Sequence, residues 1–374
     1  MLHTDIPTRD DISALATARE PMSVSIYLPT SPRRADAESA RMALKHLLFE
    51  AVSQLEASGA DKRSVGRLQE SVDDLIQHEA FWEHLSTSLA VFVTPDSLRT
   101  FRLPNRLGPL LEVSDRFAIK PLMRTITFPQ AAFVLALAQD SVRLIEVTPD
   151  PEAHEVEVPD LPDRVERVGG MGAASGITAF GYTVHGREGE KLRIGQFARS
   201  IDRALRPVLT GRDLPLILAS TEPLESIYRA VNSYPHLTTA GIAGNPELLS
   251  ADDLAGAARG ILDGLYREEL VALKDRIARQ GAHGRAVTDL SDVARSVTYG
   301  AADSLVVDLD QTIPGRINEE DGSIQFGDAD DAETYDVLDE IVRRAILTGA
   351  KVYAVHAADV PGGGPVAASV RFPV

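Results

Sequence analysis

Cysteine is absent from this chain. That excludes disulfides, thiolate zinc sites and a cysteine nucleophile, and it agrees with a reducing compartment. Any other metal would need His or carboxylates, and no grouping of them has ligand spacing. His78 and His84 bracket Glu79-Ala-Phe-Trp-Glu83, but residues six apart do not share a helical face, so core and capping roles fit them better. Neither a metal nor a cofactor is expected. Long apolar runs are also missing: nothing approaches the roughly 18 residues of a membrane span, and Met1-Leu-His-Thr-Asp-Ile6 lacks the basic-then-apolar layout of a signal peptide. The expectation is a soluble, cytoplasmic protein with no membrane partner. Positive charge is scarce, with 38 Lys and Arg against 55 Asp and Glu and a net charge of -17. Nonspecific nucleic-acid binding depends on clustered Lys and Arg, so no DNA partner is expected and any RNA contact must be local. No Gly-x-Ser-x-Gly elbow occurs, and no Gly-Lys-Ser/Thr follows a glycine loop.

What is present is an ordinary globular composition, 44% hydrophobic and 25% charged over 374 residues, enough for two or three domains. Three are expected. In residues 1–125, Ser23-Val-Ser-Ile-Tyr-Leu28 reads as a buried strand and Pro29-Thr-Ser-Pro32 as a turn. Helices over about 35–57 and 62–77 follow, then β-rich runs at 89–94, 99–103 and 110–113, giving an α/β layer. In residues 126–282, the runs 131–137 and 141–147 flank Ala138-Gln-Asp140 as a hairpin. A helix near 190–209, a strand at 214–220 and helices near 222–231 and 251–279 complete a second α/β domain. Gln280-Gly-Ala-His-Gly284 then reads as a helix stop and domain joint. In residues 283–374, helices near 289–299 and 332–347 alternate with strands at 304–308, 351–355 and 367–372. That predicts a small α/β/α sandwich, with the acidic stretch 319–331 as an exposed insertion.

The best functional lead is Val168-Gly-Gly-Met-Gly-Ala-Ala-Ser-Gly176, inside about forty poorly patterned residues, a length at which loops are usually either functional or disordered. Gly169, Gly170, Met171 and Gly172 would let the backbone approach a ligand or macromolecule closely. Nearly twenty residues separate these glycines from the next helix, whereas phosphate cradles run directly into a helix N-terminus. A nucleotide loop is therefore not indicated. His185, in Tyr182-Thr-Val-His-Gly186, is a candidate acid or base without a positioned partner.

Projecting 190–209 at 100° per residue puts Ile194, Phe197, Ile201, Leu205 and Val208 on one face. Gln196, Arg199, Arg203 and Arg206 fall on the opposite stripe. That stripe reads either as a phosphate-facing ridge or as a solvated face partly neutralised by Asp202. Ser226-Ile-Tyr-Arg-Ala-Val-Asn-Ser-Tyr-Pro-His236 either lines a site or fixes a helix end through Asn232 and Tyr234.

Several segments together resemble the bacterial relatives of the archaeo-eukaryotic peptide-chain release factors. They are Val24-Ser-Ile-Tyr-Leu-Pro-Thr30, Phe81-Trp82, Asp115-Arg-Phe-Ala-Ile-Lys-Pro121, Val134-Leu-Ala-Leu-Ala-Gln139, Val231-Asn-Ser-Tyr-Pro-His-Leu237 and Pro361-Gly-Gly-Gly-Pro-Val-Ala367. The resemblance spans all three segments. It implies a ribonuclease-H-like middle domain, a C-terminal domain similar to kink-turn-binding ribosomal proteins, and an N-terminal domain unlike the codon-reading one. It also implies a ribosome or tRNA partner. Release factors carry a Gly-Gly-Gln loop where this chain has Gly169-Gly170-Met171, and a thioether cannot do the work of the glutamine amide. The expectation is a release-factor-like protein acting in termination, rescue or stress without the release reaction. A divergent peptidyl-tRNA or ester hydrolase and a non-catalytic interaction scaffold are the alternatives. Oligomeric state is left open.

Overall fold

The computed structural model describes residues 3–149, 153–165, 177–179, 182–184, 187–328 and 334–372. It is a mixed α/β structure with several sheets, as expected. Chain contacts divide it into two compact units, one of residues 130–265 and one of 3–129 with 266–374. This differs from the three segments read from the sequence. The joint expected at 280–284 is a helix end, where Gly284 takes a left-handed φ of 68°; the division between units falls at 265/266, inside a helix.

The smaller unit holds a five-stranded sheet in the order β11-β10-β5-β6-β7. Strands β5 (Ala132–Leu137), β6 (Val142–Val147) and β7 (His154–Val156) form an antiparallel meander. β10 (Leu216–Ser220) and β11 (Ile242–Ala243) add in parallel to β5. The crossovers contain α6 (Arg187–Leu209) and α7 (Leu224–Val231). Three antiparallel strands followed by two parallel ones is the arrangement of a ribonuclease-H-like sheet. β5 and β10 are buried along their whole length, which is why both read as continuous apolar runs instead of alternating ones. The expected hairpin over 131–147 is present, while the poorly patterned stretch contributes β7 to the sheet edge and a short pair, β8 (Ile177–Ala179) and β9 (Tyr182–Val184).

In the larger unit, β1 (Ser23–Pro29), β2 (Ser88–Thr94), β3 (Ser97–Leu103) and β4 (Leu110–Ser114) form an antiparallel sheet ordered β3-β2-β1-β4. Alternation along β1 and β2 separates its two faces. Val24, Ile26, Leu28, Leu89, Val91 and Val93 face α2 (Ala37–Ala57) and α3 (Lys62–Gln77), with Trp82 of α4 (Glu79–Trp82) closing that core. The α3 bounds are those predicted, set by the Asp61 carboxylate accepting from Ser64 N at 3.0 Å. Tyr27, Ala90 and Phe92 point the other way, into a second core shared with α1 (Arg9–Thr17), α5 (Lys120–Thr127), α9 (Leu290–Thr298) and α10 (Val337–Leu347). Because that core takes residues from both ends of the chain, the two ends form one unit.

The second sheet of this unit runs β12-β18-β13-β17, from β12 (Ala286–Val287), β13 (Ala302–Asp308), β17 (Lys351–Val355) and β18 (Val366–Val370). Leu305 and Val307 join the shared core, and the alternate residue Val306 packs with Tyr353 against Leu273 and Ile277 of α8 (Ala251–Ala282). Helices on both faces make the predicted α/β/α sandwich. Within residues 319–331, the acidic insertion belongs partly to a three-stranded sheet of β14 (Pro314–Ile317), β15 (Ile324–Phe326) and β16 (Tyr335–Asp336). α10 starts at 337 and not near 332 because Asp336 caps it, accepting from Leu338 N at 3.0 Å.

Polar contacts within the larger unit centre on residues 115–121. Asp339 accepts from the backbone amides of Ile119 and Lys120 at 2.8 and 2.6 Å, capping α5 from another helix. The Lys120 ammonium, itself buried, lies 2.6 Å from Asp336. The Tyr27 hydroxyl donates to the Ala118 carbonyl at 2.7 Å.

Candidate functional site

α6 follows its predicted pattern. Ile194, Phe197, Ala198, Ile201, Leu205 and Leu209 are buried, and Gln196, Arg199, Arg203 and Arg206 are exposed. Val208, expected on the packed face, is half-buried, and Leu209 fills that place. Arg193, three residues before Gln196 and also exposed, extends the row. The same spacing could have identified it in the sequence. From Arg193 to Arg206 the stripe covers about 20 Å of helix axis at 1.5 Å per residue. Among the described residues Arg199 and Arg203 have no ion-pair partner. Arg206 differs: its guanidinium donates to Asp202 at 2.8 Å and to the Ser233 hydroxyl at 3.2 Å. Its charge is largely answered, so the free part of the stripe is Arg193, Arg199 and Arg203 beside Gln196.

Asp202 is buried on the inner edge of α6 and also accepts from Ser233 N at 2.7 Å and Ser233 Oγ at 2.8 Å. This ties the end of α7 to α6. Asn232 Nδ2 donates to the Tyr234 carbonyl at 2.8 Å, and the Tyr234 hydroxyl donates to the Leu214 carbonyl at 2.6 Å. Burial raises the Tyr228 and Tyr234 hydroxyl pKa values well above the ordinary, so neither acts as a base near neutrality. A cavity of about 300 Å³ lies here, lined by Asp202, Arg206, Tyr228, Ser233, Tyr234 and His236 among others. His236 Nε2 sits 3.3 Å from Asp213 Oδ1. Among the described residues no imidazole hydrogen-bonds to Ser233, and its carboxylate partner Asp202 is already engaged by Arg206. Of the two readings open for residues 226–236, the hydrogen bonds support the fixing of a helix end. Gly169, Gly170, Met171, Gly172 and His185 lie outside the described residues.

A mixed sheet of ribonuclease-H-like order, one outer helix of which carries a cationic row, defines the class of the smaller unit. Residues 129–268, nearly its span, match the family model of the bacterial archaeo-eukaryotic release factor family 11. The chain is release-factor-like in that segment, the resemblance read from its sequence. Among solved structures it is similar to S. cerevisiae Dom34, a translation termination-like factor, at 11% identity over 75% of each chain with a TM-score of 0.42. It is similar to an archaeal Pelota from a ribosome-bound model at 14% identity over 99% of this chain and 96% of that one, TM-score 0.39. An archaeal translation termination factor matches at 15% identity over 98% and 99% of the two chains, TM-score 0.25. No curated protein matches the chain. Among the described residues no helix is long and apolar enough to cross a membrane.

Proposed function

We propose that the protein serves a translation-related role, engaging ribosomes or tRNA during termination, rescue or stress through the α6 stripe and the glycine loop of the same domain. The family match supports the translation-related part. The observation that carries the contact surface is the exposed row of Arg193, Arg199 and Arg203, which lacks ion-pair partners among the described residues of a chain with net charge -17. In so acidic a protein, a short local ridge is where phosphate contact would have to occur. The glycine loop has Met171 where the release reaction needs an amide, so binding proceeds without peptidyl-tRNA hydrolysis of the release-factor kind.

Co-sedimentation with ribosomes across a salt series tests this reading. The expected result is salt-sensitive association, weakened uniformly in Arg199→Gln and Arg203→Gln, with the salt slope falling by about one for each phosphate no longer neutralised. Absence of association with ribosomes and tRNA would overturn it in favour of a scaffold. Turnover of peptidyl-tRNA that disappears in His185→Ala would favour the hydrolase.

A further inference from the structure

The cavity of about 300 Å³ in the smaller unit forms where the last turns of α6, the turn leading into β10 and the end of α7 meet. That volume is at the lower end of the ~300–1,000 Å³ of small-ligand sites, room for one ring system. Leu205, Leu209 and Pro235 make part of the lining apolar, and Tyr234 and His236 stand on the wall in edge-to-face contact, ring centroids 5.3 Å apart. The Tyr234 ring is pinned through its hydroxyl at the Leu214 carbonyl. Two lining carboxylates, Asp202 and Asp213, face two lining guanidiniums, Arg206 and Arg212. Asp202 holds Arg206, Asp213 lies beside His236, and Arg212 Nε donates to the Val208 carbonyl at 2.9 Å. With the formal charges balanced, the lining suits an uncharged ring better than an anion or a cation.

One polar group at the cavity is unused. Tyr228 is 1% exposed, yet its hydroxyl is not sealed from solvent and makes no hydrogen bond among the described residues. A helix residue buried this far meets solvent through the cavity it lines. Asn232 Oδ1 is unpartnered too, but it is sealed off and takes no part. The free phenol is therefore the donor available to whatever fills the cavity. The approach to it runs along α6. Arg199 and Arg203, without ion-pair partners among the described residues, share a side of the helix with Arg206 and Thr210, both of which line the cavity. Arg203 stands about 5 Å of helix axis from Arg206, so a strand with its phosphates on the row has its bases at the cavity mouth.

We propose that this cavity binds an unpaired nucleobase, either presented by RNA whose phosphates contact Arg199 and Arg203 or carried by a free nucleoside. The base enters between the leucines and Tyr234 and accepts from the Tyr228 hydroxyl through a ring nitrogen or carbonyl oxygen. The RNA form of the inference rests on the ribosome or tRNA reading; recognition of the base itself does not.

The test is titration of the full chain with a short unstructured oligoribonucleotide, an abasic oligomer of the same length, adenosine and uridine, followed by fluorescence anisotropy and saturation-transfer NMR. The intact oligomer is expected to bind about ten-fold more tightly than the abasic one, the scale of a single stacked base. Tyr228→Phe removes a hydroxyl that has no partner, so its urea midpoint should stay at the parent value while affinity for the intact oligomer falls several-fold and that for the abasic oligomer holds. Arg203→Gln should weaken both oligomers equally. If Tyr228→Phe leaves the intact oligomer and both nucleosides bound as before, or if the oligomers bind equally and neither nucleoside binds, the base cavity is overturned and the cationic row stands. Nucleoside binding that is weakened in Tyr228→Phe, without any RNA binding, would support a free base in the cavity and count against the ribosome or tRNA reading alone. Binding of neither would overturn both.

Discussion

On α6 the guanidiniums of Arg199 and Arg203 project from a helix packed on its other side, whereas on α10 those of Arg343 and Arg344 lie inside a core. The first two are four residues apart on the solvent side of an amphipathic helix, whereas the second two are adjacent on a helix that is buried from Val337 to Ala345. Water covers the first and interacts with each cation separately, so their contribution to folding is small and their charge remains available to a partner. Around Glu340 water is displaced, and the carboxylate and arginines depend on one another. Burial alone would raise the Glu340 carboxyl, but hydrogen bonds from Arg343 and Arg344 and the charges of Arg343 and Arg116 hold it down at about 2. Position relative to solvent, not residue type, separates an exposed charged row from a structural knot.

The sharpest way to break the comparison is Glu340→Gln. Removing the shared carboxylate strands buried guanidiniums, and a destabilisation of about 3–5 kcal/mol is expected in denaturant unfolding, as for other broken buried pairs. A change below about 1 kcal/mol would mean that the cluster is effectively solvated.

Nearly as large is a pH effect in the same unit. Glu112 of β4 is pushed up from 4.5 to about 7, first by burial and then by the charge of Asp336, against the opposing pull of Arg116 and Lys120. Because its folded value lies above its unfolded one, its contribution is fully present below pH 4.5 and is lost as pH rises through 7. The loss is on the order of 3 kcal/mol. Asp339, raised by burial and by the Glu112 charge, acts in the same direction. Glu340 works oppositely: its depressed value contributes stability above pH 4.5 that is lost as pH falls towards 2. Urea midpoints between about pH 4.5 and 7.5 check this, and Glu112→Gln should flatten the decline over that window.

A smaller effect sharpens the boundary case. Arg206 belongs to the exposed stripe yet shares Asp202 with Ser233, so Asp202→Asn should cost about 1–3 kcal/mol by leaving buried donors poorly satisfied. The smallest effect is on the free stripe. Arg199→Gln and Arg203→Gln should each shift stability by less than about 0.5 kcal/mol, the usual range for surface changes. Ribosome association should respond to them all the same; a destabilisation above about 1 kcal/mol would make these residues structural.

Legibility followed the same line. The predicted bounds of α3 hold because Val65, Leu68, Val72 and Leu75 repeat at helical spacing and Asp61 caps the first turn. The stripe on α6 was readable for the same reason, and the structure extends it to Arg193. Asp115-Arg-Phe-Ala-Ile-Lys-Pro121 contributed to the family resemblance, but its task was not readable, because its partners Asp336, Asp339 and Glu340 lie more than two hundred residues away. Nor was the single core shared by both ends of the chain. Tyr27 and Phe92 alternate with residues facing α2 and α3, and alternation shows that a second face is buried without showing against what.

The amino-acid sequence alone determined most of the longer elements, the mixed α/β class, the acidic balance and the outward row on α6. Each of these depends on side-chain chemistry and on periods of two or 3.6 residues, which are local properties. Only the tertiary structure decided that Arg206 is tied down while Arg199 is not, that residues 3–129 and 266–374 form one unit, and that four arginines meet at Glu340. Those outcomes depend on which distant groups displace water from one another, and burial of that kind is set by packing between segments far apart in the chain.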